Sequence, residues 1–186
     1  DKNIGAGASR NKAIELSKGT YIAFCDCDDL WDSSKLERQI KFMENIKSDF
    51  SFTSYKIIDD LDNEIGFRKA DEFINYDKLI NSCDIGLSTV VIKKKIFENQ
   101  NYRFGQTKTK EDYILWLKLA KDGIKMNGIN ESLASWRKTN NSLSSSTYQK
   151  LKDGFKVYNI YLNYSKFKSI YLLFKLSLNY ILKRIK

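Results

Sequence analysis

The sequence predicts an α/β fold: a mixed sheet flanked by helices, followed by a basic amphipathic helical tail. Three observations carry that expectation. A helical segment feeds directly into an apolar strand that ends on clustered aspartates, the order in which α/β proteins present functional loops. Segments with strand-like alternation then interleave with segments of helical spacing. From residue 148 onward the pattern is helical, aromatic and basic.

The composition bounds what such a fold can do. The chain has 186 residues, 42% hydrophobic and 13% aromatic, enough for one domain with a substantial core. Histidine is absent, which excludes a His base, a His zinc site and a His-containing triad. Cys25, Cys27 and Cys83 make an odd count. The first two are too close for an ordinary bridge and no second pair exists for zinc, so all three are expected to be reduced core thiols. The net charge of +9 is unevenly placed: from Lys150 onward nine Lys/Arg face the single Asp153, which leaves the body near +1. A nucleic-acid binder carries its basic residues on a folded binding face. Here they lie in a terminal apolar-aromatic segment, which points to a membrane surface and away from nucleic acid. The opening "DKNIGAGASRN" contains no signal peptide and no strand ahead of its glycines, so an N-terminal part is expected to be missing.

The elements follow in order. "SRNKAIELSKG" (residues 9–19) reads as a short helix with Ala13, Ile14 and Leu16 as its apolar side and Gly19 as its stop. "TYIAFC" reads as a buried strand. "SSKLERQIKFMENI" is an amphipathic helix: Ser34 and Glu37 fit a capping box, and Leu36, Ile40, Met43 and Ile46 recur at helical spacing. "FSFTSYKIID" alternates like a strand and the polar "DLDNEIG" turns it into a hairpin. "FINYDKLINSC" predicts a short helix, "GLSTVVIKK" a strand, and Ile96 and Phe97 begin another short helix. "KEDYILWLKLAKDG" is apolar nearly all round, hence a buried helix, closed by Gly123. "SLASWR" predicts a short strand and "KTNNSLSSS" a polar loop. The expected division is a domain over residues 1–147 and a tail over 148–186.

Chemistry concentrates in three places. In "YIAFCDCDDLWD" four aspartates crowd into seven residues behind an apolar run. Residues i and i+2 of an extended segment point the same way, roughly 6–7 Å apart, so Asp26 and Asp28 converge on one hard cation. Mg²⁺ and Mn²⁺ prefer oxygen ligands and accept one or two carboxylates plus substrate phosphates. Asp29 and Asp32 suit a turn and a helix cap instead. Two other acidic motifs share part of this spacing. The DDxxD of terpene and prenyl synthases sits on a helix, whereas this one follows a strand; the D-x-D of dehalogenase-like phosphatases has Thr or Val where Leu30 stands. The second place is "TKEDYILWL", where Thr109 and Asp112 fit a capping box. Beside a metal-bound diphosphate, however, a carboxylate is the natural base in a chain without histidine. The third is "GAGASRN", where glycines ahead of a helix bring backbone near phosphate and Arg10 can pair with it.

Taken in order, "NIGAGASRNKAIELSKGTYIAFCDCDDLWDSSKLERQIKFM", "FSFTSYKIID", "IGLSTVVIKK", "TKEDYILWLKLAKDG" and "ESLASWRKTNNSLSSS" resemble family 2 glycosyltransferases, especially the bacterial teichuronic-acid and O-antigen type. The resemblance spans residues 3–146. It implies a GT-A (Rossmann-like) fold, a nucleotide-diphosphate sugar donor, expected to be a UDP-sugar, and inversion at the anomeric carbon. Asp26 and Asp28 then match the D-x-D that holds Mg²⁺ or Mn²⁺ and the diphosphate, Asp112 the catalytic base, and Arg10 an arginine near the nucleotide. Trp136 and Arg137 fall at the border of the donor and acceptor cleft. The family's opening "PTYN" strand and "DDGSTD" segment, which hold base and ribose, are absent, and so is the Q-x-x-R-W motif of processive members. The expected function is transfer of one sugar to a hydroxyl of a lipid-linked or growing surface glycan, on the cytoplasmic face of the plasma membrane. A non-catalytic remnant acting as a membrane-attached interaction domain is the alternative.

Overall fold

The structure is a computed structural model and describes residues 3–139 and 146–185. Most of the polar loop expected at 138–146 lies outside them. The first helix, α1 (Ala6–Leu16), starts three residues earlier than expected. Only Ile14 of its three apolar residues is buried, and Leu16 is 68% exposed. The apolar strand β1 (Tyr21–Ala23) stops before the aspartates. It is followed by β2 (Leu30–Trp31), α2 (Lys35–Asn45), the hairpin β3 (Phe50–Ile58) and β4 (Glu64–Arg68), β5 (Phe73–Ile74), α3 (Tyr76–Leu79), β6 (Val91–Lys93), α4 (Glu111–Lys121) and β7 (Met126–Arg137).

These strands form one mixed sheet, ordered β1-β6-β3-β7-β2, with β4 beside β3 and β5 beside β7. The long pair β3–β7 is parallel and every other pairing is antiparallel. Among the described residues the strand leading to the aspartates, β1, pairs with β6 alone. Its apolar character comes from packing on one face, where Ile22 and Phe24 join the core.

The core is built around α4. Tyr113, Ile114, Leu115, Trp116, Leu117 and Leu119 are buried in succession, as an all-round apolar helix requires. The Trp116 ring meets Phe50 edge-on at 5.1 Å and Phe104 at 6.0 Å. The helix closes at Gly123, whose φ of +84° lies in the left-handed region as a terminating glycine permits.

Two expectations fail on α2. Ser34 makes no capping hydrogen bond and is itself held by Asp32, whose Oδ1 accepts from the Ser34 amide at 2.8 Å and the Ser34 hydroxyl at 2.6 Å. The buried face is Lys35, Gln39 and Met43, while Leu36 and Ile46 are exposed. The cysteines depart from expectation too: all three are free, but they are exposed rather than in the core.

The tail folds as α5 (Thr147–Lys156), one π turn (Val157–Tyr161) and α6 (Lys166–Ile185). Asn163, at φ +54°, supplies the left-handed residue of the bend before α6. Val157, Tyr158, Leu162, Leu172 and Leu176 belong to the same core as the sheet and α4. The Tyr158 hydroxyl donates to the Ile80 carbonyl at 2.8 Å and lies 3.2 Å from the Tyr113 hydroxyl.

Candidate active site

The aspartates after β1 form a turn rather than an extended ladder, with the Asp29 amide donating to the Asp26 carbonyl at 3.1 Å. The turn separates the four carboxylates by role. Asp29 folds inward: its Oδ2 accepts from the Ser88 hydroxyl at 2.5 Å and its Oδ1 from the Arg137 amide at 2.9 Å. Burial pushes its pKa up to about 6 against those two hydrogen bonds. The Ser88 hydroxyl also receives the Asp26 amide at 3.0 Å, so one serine pins both ends of the turn. Asp26 and Asp28 remain outside, with the Asp26 side chain 37% exposed and Asp28 open to solvent.

Arg10 reaches this turn from α1. Its Nη2 lies 2.6 Å from Asp26 Oδ1 and its Nη1 2.5 Å from Glu111 Oε1. Burial works against the guanidinium, but the two carboxylates outweigh it and raise its pKa. One side chain thus joins the aspartate turn to the N-terminus of α4. This approach of α1 depends on two glycines in contact: a Cβ on Gly7 would lie 2.3 Å from the Gly105 carbonyl oxygen. Asn11 locks the same place, bonding both the amide and the carbonyl of Phe104.

Asp112 stands next to Glu111 in the first turn of α4. The expected capping box with Thr109 does not form; the cap residue is Lys110, in the left-handed conformation at φ +64°, and no side chain caps the helix. Asp112 Oδ1 accepts instead from the following amide, Tyr113, at 2.7 Å. Its carboxyl is pushed up to about 6, first by burial and then by Glu111, while Arg10 and Lys110 pull the other way. At neutral pH it is mostly ionised and has the basicity to take a proton.

At the far rim, Arg137 gives its whole guanidinium to the protein: Nε to the Asp28 carbonyl at 2.9 Å, Nη1 to the Asp59 carbonyl at 2.7 Å and Nη2 to Asp62 Oδ1 at 2.6 Å. It ties the aspartate turn to the β3–β4 hairpin. Trp136 is partly exposed beside it on β7.

The turn also bears on metal binding. Among the described residues, no three His, Cys, Asp or Glu side chains gather to hold an ion. The donors present are two solvent-open carboxylates, one of them shared with Arg10. That set fits a hard cation bringing most of its ligands from a diphosphate and water, and does not fit a cage built by the protein alone. Glu111, Ser88 and Asp29 complete the constellation. Asp29 lies in the turn that its sequence position suggests, whereas the parts of Ser88 and Glu111 depend on partners distant in the chain.

Comparisons with known proteins bear on the family and the fold. The family model for Glycosyl transferase family 2 matches residues 1–102. The chain is 36% identical over 159 residues to the teichuronic acid biosynthesis glycosyltransferase TuaG of Bacillus subtilis, covering 85% of this chain and 62% of that protein. It is 34% identical over 184 residues to the Escherichia coli UDP-Glc:alpha-D-GlcNAc-diphosphoundecaprenol beta-1,3-glucosyltransferase WfgD, covering 98% and 69% respectively. The S. aureus TarS 1-349 structure in complex with UDP-GlcNAc superposes with a TM-score of 0.68 at 17% identity, over 91% of this chain and 51% of that one. The fold is GT-A-like, and the chain spans between about half and two thirds of the proteins it matches here. By sequence and by fold, the chain belongs to glycosyl transferase family 2.

Proposed function

We propose that the protein transfers one sugar from a nucleotide-diphosphate sugar, a UDP-sugar, to a hydroxyl of a lipid-linked surface glycan, with inversion. The observation that carries this reading is the Arg10 bridge, which joins the Asp26 turn to the helix end bearing Asp112. Asp112 takes the acceptor hydroxyl proton as that oxygen bonds to the anomeric carbon. The bond from that carbon to the diphosphate oxygen breaks, and the diphosphate leaves with the electron pair. Asp26 and Asp28 hold a divalent cation, Mg²⁺ or Mn²⁺, which when bound offsets charge on the diphosphate. Arg10 orients Asp26 and lies beside the phosphates, Arg137 holds the turn, and Trp136 borders the cleft.

WfgD is named for a diphosphoundecaprenol-linked acceptor, and the lipid carried by such an acceptor supports a peripheral place on the inner face of the plasma membrane. No helix among the described residues is long and apolar enough to cross a membrane, so α6 is the element we assign to the surface. The test of catalysis is Asp112→Asn in the full-length protein. Transfer is expected to fall by about 100-fold or more, the scale of a lost general base, with donor affinity retained. Undiminished turnover removes the assignment.

A further inference from the structure

We infer that Asp153, in the first helix of the tail, is a positioning residue for the Asp112 base. The inference rests on Asp112 being that base. The segment ahead of α4 has little to hold it from within. Lys110 sits in a left-handed conformation at φ +64°, and no side chain caps the helix that starts after it. Such backbone persists only where its surroundings fix it.

The fixing comes from the tail. Asp153 is 0% exposed. Its Oδ2 accepts from the Thr109 amide at 3.0 Å, the Thr109 hydroxyl at 3.1 Å and the Gln149 side-chain amide at 2.8 Å. Its other oxygen has Lys156 at 3.7 Å. A buried carboxylate with three donors on one oxygen sets the direction of the peptide that leads into Lys110, Glu111 and Asp112. A second tail group acts on the same segment, since the Gln106 amide donates to the Tyr161 hydroxyl at 3.0 Å. Inside the loop, the Gly105 amide closes onto the Glu111 carbonyl at 3.1 Å. The segment is thus held on one side by α1, through Asn11 and Gly7, and on the other by α5 and the π turn. Glu111 in turn carries Arg10 and, through it, Asp26.

The pattern of acceptors makes the role testable. Asp153→Ala removes the accepting oxygen, whereas Asp153→Asn keeps a carbonyl oxygen in its place. In the full-length protein, Asp153→Ala is expected to lower kcat by about 10- to 100-fold, the cost of a small misplacement of a catalytic group, with donor KM within about twofold. Asp153→Asn is expected to recover most of that loss. Amide hydrogen exchange over residues 106–112 should speed up in the Ala variant and not in the Asn variant. Thr109→Val, which deletes only the hydroxyl, should fall between them and serves if the Ala variant fails to fold. A folded Asp153→Ala with wild-type kcat, or an Asn variant as impaired as the Ala one, overturns the positioning role. The base assignment fails separately, if Asp112→Asn still turns over.

Discussion

Asp29 and Asp112 both hold their protons up to about pH 6, and burial is the first cause for each. Their consequences differ. Asp29 is a staple with two donors on it, so its ionisation bears on stability. The folded state keeps protons that the unfolded chain releases between pH 3.8 and about 6. Stability contributed through these two groups therefore falls as pH rises through that window. Asp112 bears on turnover. As the proposed base of the free enzyme, it is expected to give kcat/KM an acid limb near pH 6, dropping about tenfold per unit below it if one proton inactivates the base. A pH–rate profile of the full-length protein checks this, and a limb lying below about pH 4.5 would show that a less buried carboxyl is the base. Spacing made Asp26, Asp28, Asp112 and Arg10 legible as candidates. It did not reveal that the turn tucks Asp29 under Ser88, or that Glu111 shares Arg10. Those depend on a hydroxyl and a guanidinium brought from elsewhere in the chain.

Among the elements, α2 was placed correctly and its face was misread. Apolar spacing selects Leu36, Ile40, Met43 and Ile46, yet the helix rolls Lys35 and Gln39 inward. Gln39 has a physical reason to be there, donating to the Ser51 hydroxyl at 3.1 Å and the Thr89 carbonyl at 2.8 Å. Lys35 has a weaker one: its amine lies 4.3 Å from the centre of the Trp31 ring and has no hydrogen-bond partner among the described residues. At 1% exposure the amine loses hydration, and burial pulls its pKa down to about 8. A depressed lysine costs stability at every pH below that value, and the cost is relieved as pH rises toward 10.5. The ring returns about 1–2 kcal/mol of cation–π attraction, less than a buried unpaired charge costs. Lys35→Met should therefore stabilise the fold at pH 7 by about 1 kcal/mol, measured by urea unfolding. It should also flatten the rise in stability above pH 8. A destabilised variant would mean that the amine has a partner in solution.

On the scale of the whole molecule, the tail reads as one amphipathic unit in sequence and divides in structure into a part packed in the core and a part exposed. Periodicity reported its helices and its basic surplus correctly. It could not report that Tyr158 and Val157 fill the core, because an aromatic stripe has the same period whether it meets protein or lipid. Among the described tail elements α6 exposes the most large apolar side chains, beside Tyr148 and Leu151 of α5 and Ile160 of the π turn. Ser169, Leu172 and Leu176 turn inward, while Phe167, Ile170, Tyr171 and Phe174 are exposed, Phe167 at 89%. The Lys168 amine lies over the Tyr164 ring and the Lys175 amine over the Tyr171 ring. From residue 166 onward the sequence has six basic residues and no acidic one. Removing the tail would damage the core, so the membrane role is tested by changing Phe167, Ile170 and Phe174 together to Ser. Binding to vesicles containing phosphatidylglycerol is expected to fall about tenfold or more and to weaken with salt. Equal binding by the variant removes the lipid assignment, and dimers without vesicle binding would give the face to a second copy of the chain.

The hold of Asp153 and Tyr161 on the loop before α4 also sets an order in time. A chain emerging from the ribosome folds its N-terminal parts first, at about 5–20 residues per second. The aspartate turn and α4 are made well before the residues that clamp them. Tyr161 is synthesised 49 residues after Asp112, a delay of about 2–10 s at that pace. Over that interval the site exists in sequence and not in geometry. On the proposed roles of Asp112 and Asp153, the site's geometry is complete only once Tyr161 has been made, just ahead of α6, the helix proposed to meet the membrane.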